Sequence, residues 1–329
     1  MGSNLVHRLL HLQVQNITVV DNLLSSEKKN IPENDKVQFI EGSIADDNIL
    51  AKLEDDFDYI FHLATFHGNQ NSIYAPLLDH ENNTLTTLKL MNQVKDFKNL
   101  KKIVYSGAGC AVAEKGVVDK ARPTTEDQSV SLEMDSPYSI SKIIGEFYAV
   151  YFCRQFDLPV VRARFQNVYG PREILGAGKW RGTAATVWRN VVPVFIYNAL
   201  KGRSLPVENN GISTRDFIYV EDIVQGLISC ALKGESGDVY NIATGKETSI
   251  LELANTINKL TNNPAPIEFL PKRVWDNSIK RLGSAEKSKE KLGFVAEIGI
   301  NEGLKHTIQW AKENLEFIDR TIAKHSKYL

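Results

Sequence analysis

Short runs of branched and aromatic apolar residues alternate along this chain with longer stretches whose apolar positions recur every three or four residues. That alternation predicts strands joined by helical crossovers, and so a parallel sheet with helices on its faces. Ile17–Asp21, Val37–Ile40, Tyr59–Leu63, Ile103–Ser106 and Val160–Arg164 read as strands. Leu77–Val94 and Tyr138–Phe156 read as helices between them. From about residue 171 the pattern loosens, with helices expected near 221–232, 249–260 and 301–325 and short strands between. Gly176–Gly182 is a polar, aromatic loop of the kind that lines binding sites.

Composition removes several classes of function. With 39 basic and 40 acidic residues the charge is balanced, which argues against a general nucleic-acid or anionic-membrane binder. Cys110, Cys153 and Cys230 are odd in number and widely spaced, giving neither a disulfide framework nor a metal pattern and suiting the cytoplasm. No apolar run approaches the ~20 residues of a membrane span. His62 and His67 flank the end of a strand, but without paired ligand spacing metal binding is not expected. At 329 residues the chain is long enough for a large core or two unequal lobes.

Candidate chemistry sits at Asp135-Ser136-Pro137-Tyr138-Ser139-Ile140-Ser141-Lys142. Residues four apart share one helix face. An ammonium there lowers a phenol's pKa by charge proximity and makes the tyrosine usable as a base near neutral pH. An exposed Tyr/Lys pair on any helix would show the same short pattern, so its setting matters. An apolar strand, Lys102-Ile103-Val104-Tyr105-Ser106, and a glycine-rich turn precede it. A second strand, ending in Arg164-Phe165-Gln166-Asn167-Val168-Tyr169-Gly170-Pro171, follows it.

A dinucleotide fold opens with a strand, a Gly-x-x-Gly-x-x-Gly turn and a helix whose N-terminus meets the pyrophosphate. An acidic residue for the adenosine ribose follows about 20 residues later. Asp21 ends its strand in that position, with Asn22 beside it, and Gly2 fits the third glycine. The opening strand and first two glycines have no counterpart in the chain. The expectation is that about a dozen residues ahead of Met1 belong to the functional protein; the alternative is a natural remnant that binds the cofactor weakly or not at all. Without that strand, two others should face each other across a trough, with unpaired backbone groups costing about 1–3 kcal/mol each.

Together these stretches resemble the extended short-chain dehydrogenase/reductase family, in its NAD-dependent nucleotide-sugar epimerase/dehydratase branch. The resemblance also takes in Phe61-His62-Leu63-Ala64, Glu81-Asn82-Asn83-Thr84, Thr214-Arg215-Asp216-Phe217-Ile218-Tyr219-Val220 and Tyr240-Asn241-Ile242-Ala243, and so nearly the whole chain. The turn Tyr105-Ser106-Gly107-Ala108-Gly109-Cys110 resembles a subgroup tied to lipopolysaccharide O-antigen sugars. The fold implied is α/β: a Rossmann-type doubly wound sheet over 1–170, lacking its first strand, with a smaller substrate lobe over 171–329 interleaved with it.

The function implied is epimerisation of a uridine diphosphate sugar through a transient keto-sugar. Tyr138, Lys142 and Ser106 form the implied catalytic set. Gly2, Asp21, Asn22, Ser43, Ile44, Leu63, Ala64, Thr65 and Asn83 would meet NAD, joined by Tyr138 and Lys142. A free carboxylate at Asp21 repels a 2′-phosphate and favours NAD over NADP. Asn167, Arg215 and Arg273 match diphosphate positions, where an arginine fork binds two oxygens at once. Trp180 and Arg181 would meet the sugar, the arginine suiting a uronate. A homodimer is implied through Leu77–Val94 and Tyr138–Phe156, with apolar faces at Leu85, Leu88, Leu90 and at Ile144, Phe147, Tyr151.

The chain departs from the branch at three points. Ala108 stands where a Ser or Thr hydroxyl usually helps to hold the reacting sugar oxygen; the sequence leaves Ser106, Cys110, Thr65 or a water as substitutes. Ser43 replaces an Asp near the adenine. Gly109-Cys110 replaces an Asp-Glu pair of the dehydratases, which disfavours 4,6-dehydration. Two further readings stay open: a non-catalytic nucleotide-sugar or dinucleotide binder, and a reductase that consumes NADH.

Overall fold

The computed structural model describes residues 1–24, 26–66, 68–112, 122–173, 190–272 and 279–324. The five expected strands form within two residues of their expected ends. They are β1 Ile17–Asp21, β2 Val37–Glu41, β3 Tyr59–His62, β4 Lys102–Ala108 and β5 Val160–Phe165. Eight shorter strands follow: β6 Asn167–Tyr169, β7 Leu205–Glu208, β8 Thr214–Arg215, β9 Phe217–Tyr219, β10 Val239–Ile242, β11 Thr248–Ser249, β12 Ile267–Leu270 and β13 Lys280–Arg281.

β3, β4, β5 and β10 pair in that spatial order, all parallel. β10 comes from the C-terminal half, so the later part of the chain contributes to the sheet. One face is covered by the helices Thr86–Val94 and Pro137–Phe156, whose Leu90, Met91, Val94 and Phe152 pack on Ile103, Tyr105 and Val160. On the other face lies the helix Val220–Lys233, with Ile223, Val224 and Leu227 against Val104, Val161 and Tyr240. Helices on both faces of a parallel sheet make this a Rossmann-type α/β fold. A second core, built from Phe195, Phe217, Tyr219, Leu253, Ile257, Leu304 and Ile308, holds together the helices Val191–Leu200, Ile250–Thr261 and Ile300–Glu313.

β1 and β2 pair with each other, and no strand joins β1 to β3 among the described residues. The trough anticipated from the sequence lies between them. Val19 and Val20 line one wall and Ile60 and Phe61 the other, and Leu5 and Leu9 of the helix Gly2–His11 line it too. This space runs into the cleft at the strand ends, and the cavity reaches about 1250 Å³. That exceeds the roughly 300–1,000 Å³ of an ordinary ligand pocket. Every residue of β1 and of β3 is among its lining, so part of the volume lies alongside those strands.

Two helices differ from their expected form. The stretch expected at 301–325 divides into Ile300–Glu313 and Leu315–Lys324. Asn314 breaks it, its side-chain amide donating back to the Trp310 carbonyl while its own carbonyl accepts from the Ile318 N–H. Leu77–Val94 is helical throughout but passes through a π-helical segment, His80–Leu85. Such wide turns recur at functional sites because they re-aim side chains, and this one carries Asn83.

Candidate active site

Ser136 starts the Pro137–Phe156 helix, its hydroxyl accepting from the Ser139 N–H. Pro137 follows as the first helical residue, where a missing N–H costs nothing. Tyr138 is thereby fixed in the first turn, and its own N–H donates to Ser72 Oγ at 3.0 Å. One turn on, Lys142 crosses to the end of β4. Its Nζ donates to the Ser106 carbonyl at 3.0 Å and to Ser106 Oγ at 3.3 Å. The ammonium lies 5.8 Å from the centre of the Tyr138 ring. Tyr138, Lys142 and Ser106 are each buried yet line the one cavity, so the expected catalytic set is brought together.

The helix is held by groups that the motif does not reveal. Glu146, a turn beyond Lys142, receives Arg164 through two contacts of 2.8 Å and Arg162 through one of 3.3 Å. Arg164 also donates to the Glu126 carbonyl. Gly145 faces Tyr105, whose phenol donates to the Lys142 carbonyl at 3.1 Å. A Cβ at Gly145 would collide with that hydroxyl, so glycine sets how closely the helix approaches the sheet.

Asp21 Oδ1 accepts from the Leu23 N–H and from Ser26 Oγ, so its carboxylate is oriented at the strand end. Asn22 folds back on the Leu24 N–H, and Ser43 Oγ accepts from the Ala45 N–H. Gly2, Asp21, Asn22, Ser43, Ile44, Leu63, Ala64 and Thr65 all line the cavity. Asn83 does not. It is buried and fully engaged, bonding both the N–H and the carbonyl of Phe66, together with Thr65, Asp79 and Ser141. Asn82 lines the cavity in its place, and Asn83 holds the loop after β3 against the helix that carries Tyr138.

A dinucleotide fits these residues. The first turn of the Gly2–His11 helix leaves backbone N–H groups without helical acceptors, Gly2 has nothing within 4 Å of where a Cβ would stand, and Asp21 and Lys142 lie along the same cavity.

Asn167 and Arg215 line the same cleft. Arg215 Nη1 donates to the Thr214 and Ile279 carbonyls, which aims the guanidinium. Arg281, on the neighbouring strand β13, lies on the same wall and pairs with Asp135 at 3.4 Å; the sequence reading had not singled it out. Trp180, Arg181, Arg273, His67 and the Cys110 side chain lie outside the described residues. No group of three His, Cys, Asp or Glu side chains among the described residues gathers as a metal site.

Burial sets the electrostatics beneath the cleft. His62, bonded to Thr87 Oγ1 at 2.9 Å, has its pKa lowered to about 3, first by desolvation and then by the Lys142 charge. Desolvation raises Asp79, although bonds from Ser141 and Asn83 work against it. A histidine held neutral in the fold takes a proton on unfolding once the pH is below its ordinary 6.5. Its share of the stability is therefore complete above 6.5 and is lost as pH falls toward about 3. Asp79 works in the opposite direction near its ordinary 3.8, because there the folded state holds the proton more firmly. Urea midpoints measured from pH 7 to 4 should fall, with His62 contributing up to ~1.4 kcal/mol per unit. His62→Gln should flatten the slope; equal slopes in the two proteins would refute the assignment.

A parallel sheet with an acidic strand end and a Tyr–Lys pair in one cleft has the features of a Rossmann-type dinucleotide-binding enzyme. The model of the NAD dependent epimerase/dehydratase family matches residues 1–243, and the chain belongs to that family. It is 30% identical to UDP-glucose 4-epimerase of Mycolicibacterium smegmatis over 314 residues, 94% of this chain and 95% of that one. Among solved structures it resembles WbmF of Bordetella bronchiseptica in complex with NAD+ and UDP. There the identity is 59% and the TM-score 0.87, covering 100% of this chain and 94% of that one. UDP-glucuronic acid 4-epimerase of Bacillus cereus, in complex with UDP-glucuronic acid and NAD, is 25% identical with a TM-score of 0.83 over 95% and 96%. The chain is thus an NAD-dependent enzyme of nucleotide-sugar conversion.

Proposed function

We propose that the chain epimerises a UDP-hexose or UDP-hexuronate at a carbon bearing a hydroxyl, in the cytoplasm, as part of sugar supply for lipopolysaccharide O-antigen. The observation that carries this reading is the Tyr138–Lys142–Ser106 arrangement inside the cleft. A pure binding protein has no chemical use for a buried phenol beside an ammonium. The O-antigen assignment rests on the Tyr105–Cys110 turn.

NAD, when bound, supplies a reversible hydride acceptor. Tyr138 takes the proton of the sugar hydroxyl and later returns it. Lys142 keeps positive charge beside the phenol, and its bonds to Ser106 hold that charge at the end of β4. Asp21 holds the adenosine ribose, while Arg215 and Asn167 serve the diphosphate; Arg273, Trp180 and Arg181 join them in this reading. An arginine fork suits that diphosphate because it meets two oxygens at once. Asn83 serves through the loop it pins.

The test follows UDP-hexoses and UDP-hexuronates by NMR with NAD well below the substrate concentration. An epimerase converts many equivalents per NAD; stoichiometric consumption of NADH would favour the reductase instead. Binding without turnover across the panel would favour the non-catalytic binder. Arg215→Ala should weaken UDP and UDP-sugars alike by about 1.5–3 kcal/mol, the worth of a charge-assisted contact. Calorimetry showing UDP affinity unchanged would remove Arg215 from the diphosphate.

We also read the protein as a homodimer. Ile140, Phe147 and Tyr151 are exposed on the Pro137–Phe156 helix. On the partner helix the exposed apolar residues are Leu77 and Leu78, since Leu90 turns into the core. Light scattering at micromolar concentration should give twice the chain mass, and Phe147→Glu should give a monomer. A monomeric wild type would end this reading.

A further inference from the structure

We infer that the Gln166 carboxamide takes the place of the hydroxyl missing at Ala108 and donates a hydrogen bond to the sugar oxygen that Tyr138 deprotonates. This inference rests on the epimerase reading and adds a substrate-contacting residue to it.

The β4–β5 pairing ends at Ala108 opposite Phe165, so Gln166 is the first residue past the sheet, beside the turn that opens with Gly109. Ligands of parallel sheets bind at these strand ends. The amide occupies space that two glycines leave free. A Cβ on Gly109 would collide with Gln166 Nε2, and a Cβ on Gly283 would stand 2.6 Å from the same atom. These glycines lie far apart in the chain, yet both clear room for one amide. Gln166 is half-buried and lines the same cavity as Tyr138, Ser106 and Ala108. No hydrogen bond ties its amide to another described residue, which leaves it open to the cavity. Ala108 and Tyr138 belong to one buried cluster, and Gly109, against which the amide packs, directly follows Ala108 in the chain.

The other substitutes are less available. The Thr65 hydroxyl donates to Asn83 Oδ1 at 2.8 Å. Ser106 Oγ accepts from Lys142 Nζ, which ties it to the ammonium two residues back along β4 from Ala108. The chemistry asks for a donor here, because proton loss builds negative charge on the sugar oxygen, and a placed N–H stabilises that charge more than it does the starting hydroxyl. A carboxamide donates without titrating, so its contribution does not vary with pH.

Gln166→Met keeps the length of the side chain and removes the donor. Its kcat should fall about 10–100-fold, in line with loss of one donor to a developing oxyanion, while UDP affinity stays the same. Ala108→Ser added to that variant should recover at least half of the loss on a logarithmic scale. A merely structural glutamine would not be replaced by a hydroxyl at 108. Full kcat in Gln166→Met, or a loss in which UDP affinity drops equally, would overturn the inference. Tyr138→Phe, run beside it, separates the two claims: activity lost there but kept in Gln166→Met leaves the epimerase reading standing and this inference refuted. Should wild type turn over no sugar in the panel, affinities decide: the inference then requires Gln166→Met to weaken a UDP-hexose and not UDP.

Discussion

Replacing Tyr138 by Phe is expected to lower turnover by about 10²–10⁴-fold, the usual worth of a positioned proton acceptor, with little effect on the fold. The ring remains, so the packing of Tyr138 against Ala108, Val112 and Ile143 is kept. The bond that fixes the residue runs through its backbone N–H to Ser72, which the substitution does not touch. Unfolding midpoints of the two proteins should therefore agree while kcat collapses. The control is Lys142→Ala, which removes the charge beside the phenol and should move the onset of activity to higher pH. Full activity in Tyr138→Phe would show that some other group takes the proton.

Glu146→Ala is expected to have the largest effect on stability. Its side chain and that of Arg164 are 3% and 4% exposed, and Arg162 leans on the same carboxylate. Removing the carboxylate leaves two guanidinium groups in a dry interior, and breaking a buried pair in this way typically costs about 3–5 kcal/mol. Against a total near 5–15 kcal/mol, that is a large fraction. Among the described residues, Arg164 retains only its bond to the Glu126 carbonyl, and Arg162 its bond to the Gly237 carbonyl. The helix carrying Tyr138 and Lys142 also loses its clamp to β5, so activity should fall with stability. Urea denaturation measures the first effect, and a loss below about 1 kcal/mol, the range of exposed pairs, would show that the arginines find other partners. Glu146→Gln, which keeps an acceptor, should fall between the two.

The spacing of the proposed catalytic pair was legible because it is local. Tyr138 and Lys142 are four residues apart on one helix, and helical geometry alone puts them on one face. Asp21 was legible for a similar reason, since a strand of four apolar or β-branched residues, Ile17 to Val20, leads into it. The clamp on that helix was not. Glu146, Arg162 and Arg164 read as ordinary charges in sequence, and only the packing of the helix on β5 buries them together. Asn83 carried a motif signal but no direction. Within the π-helical segment it is Asn82 that lines the cavity, while Asn83 is spent on Phe66, Thr65, Asp79 and Ser141.

Gln166 shows most plainly what periodicity cannot carry. It stands in a stretch whose sequence signal lay in its neighbour Asn167. Its contact glycines, Gly109 and Gly283, meet only when the segment around β13 folds over the end of β4. By itself, the sequence determined the order of strands and helices, the Tyr–Lys face and the acidic strand end, because each depends on residues within a turn or a strand of one another. It also foretold the trough, because the strands around it could be counted. Tertiary structure alone decided which polar groups face the cleft and which are spent holding it, since that depends on long-range packing that brings distant segments to one wall.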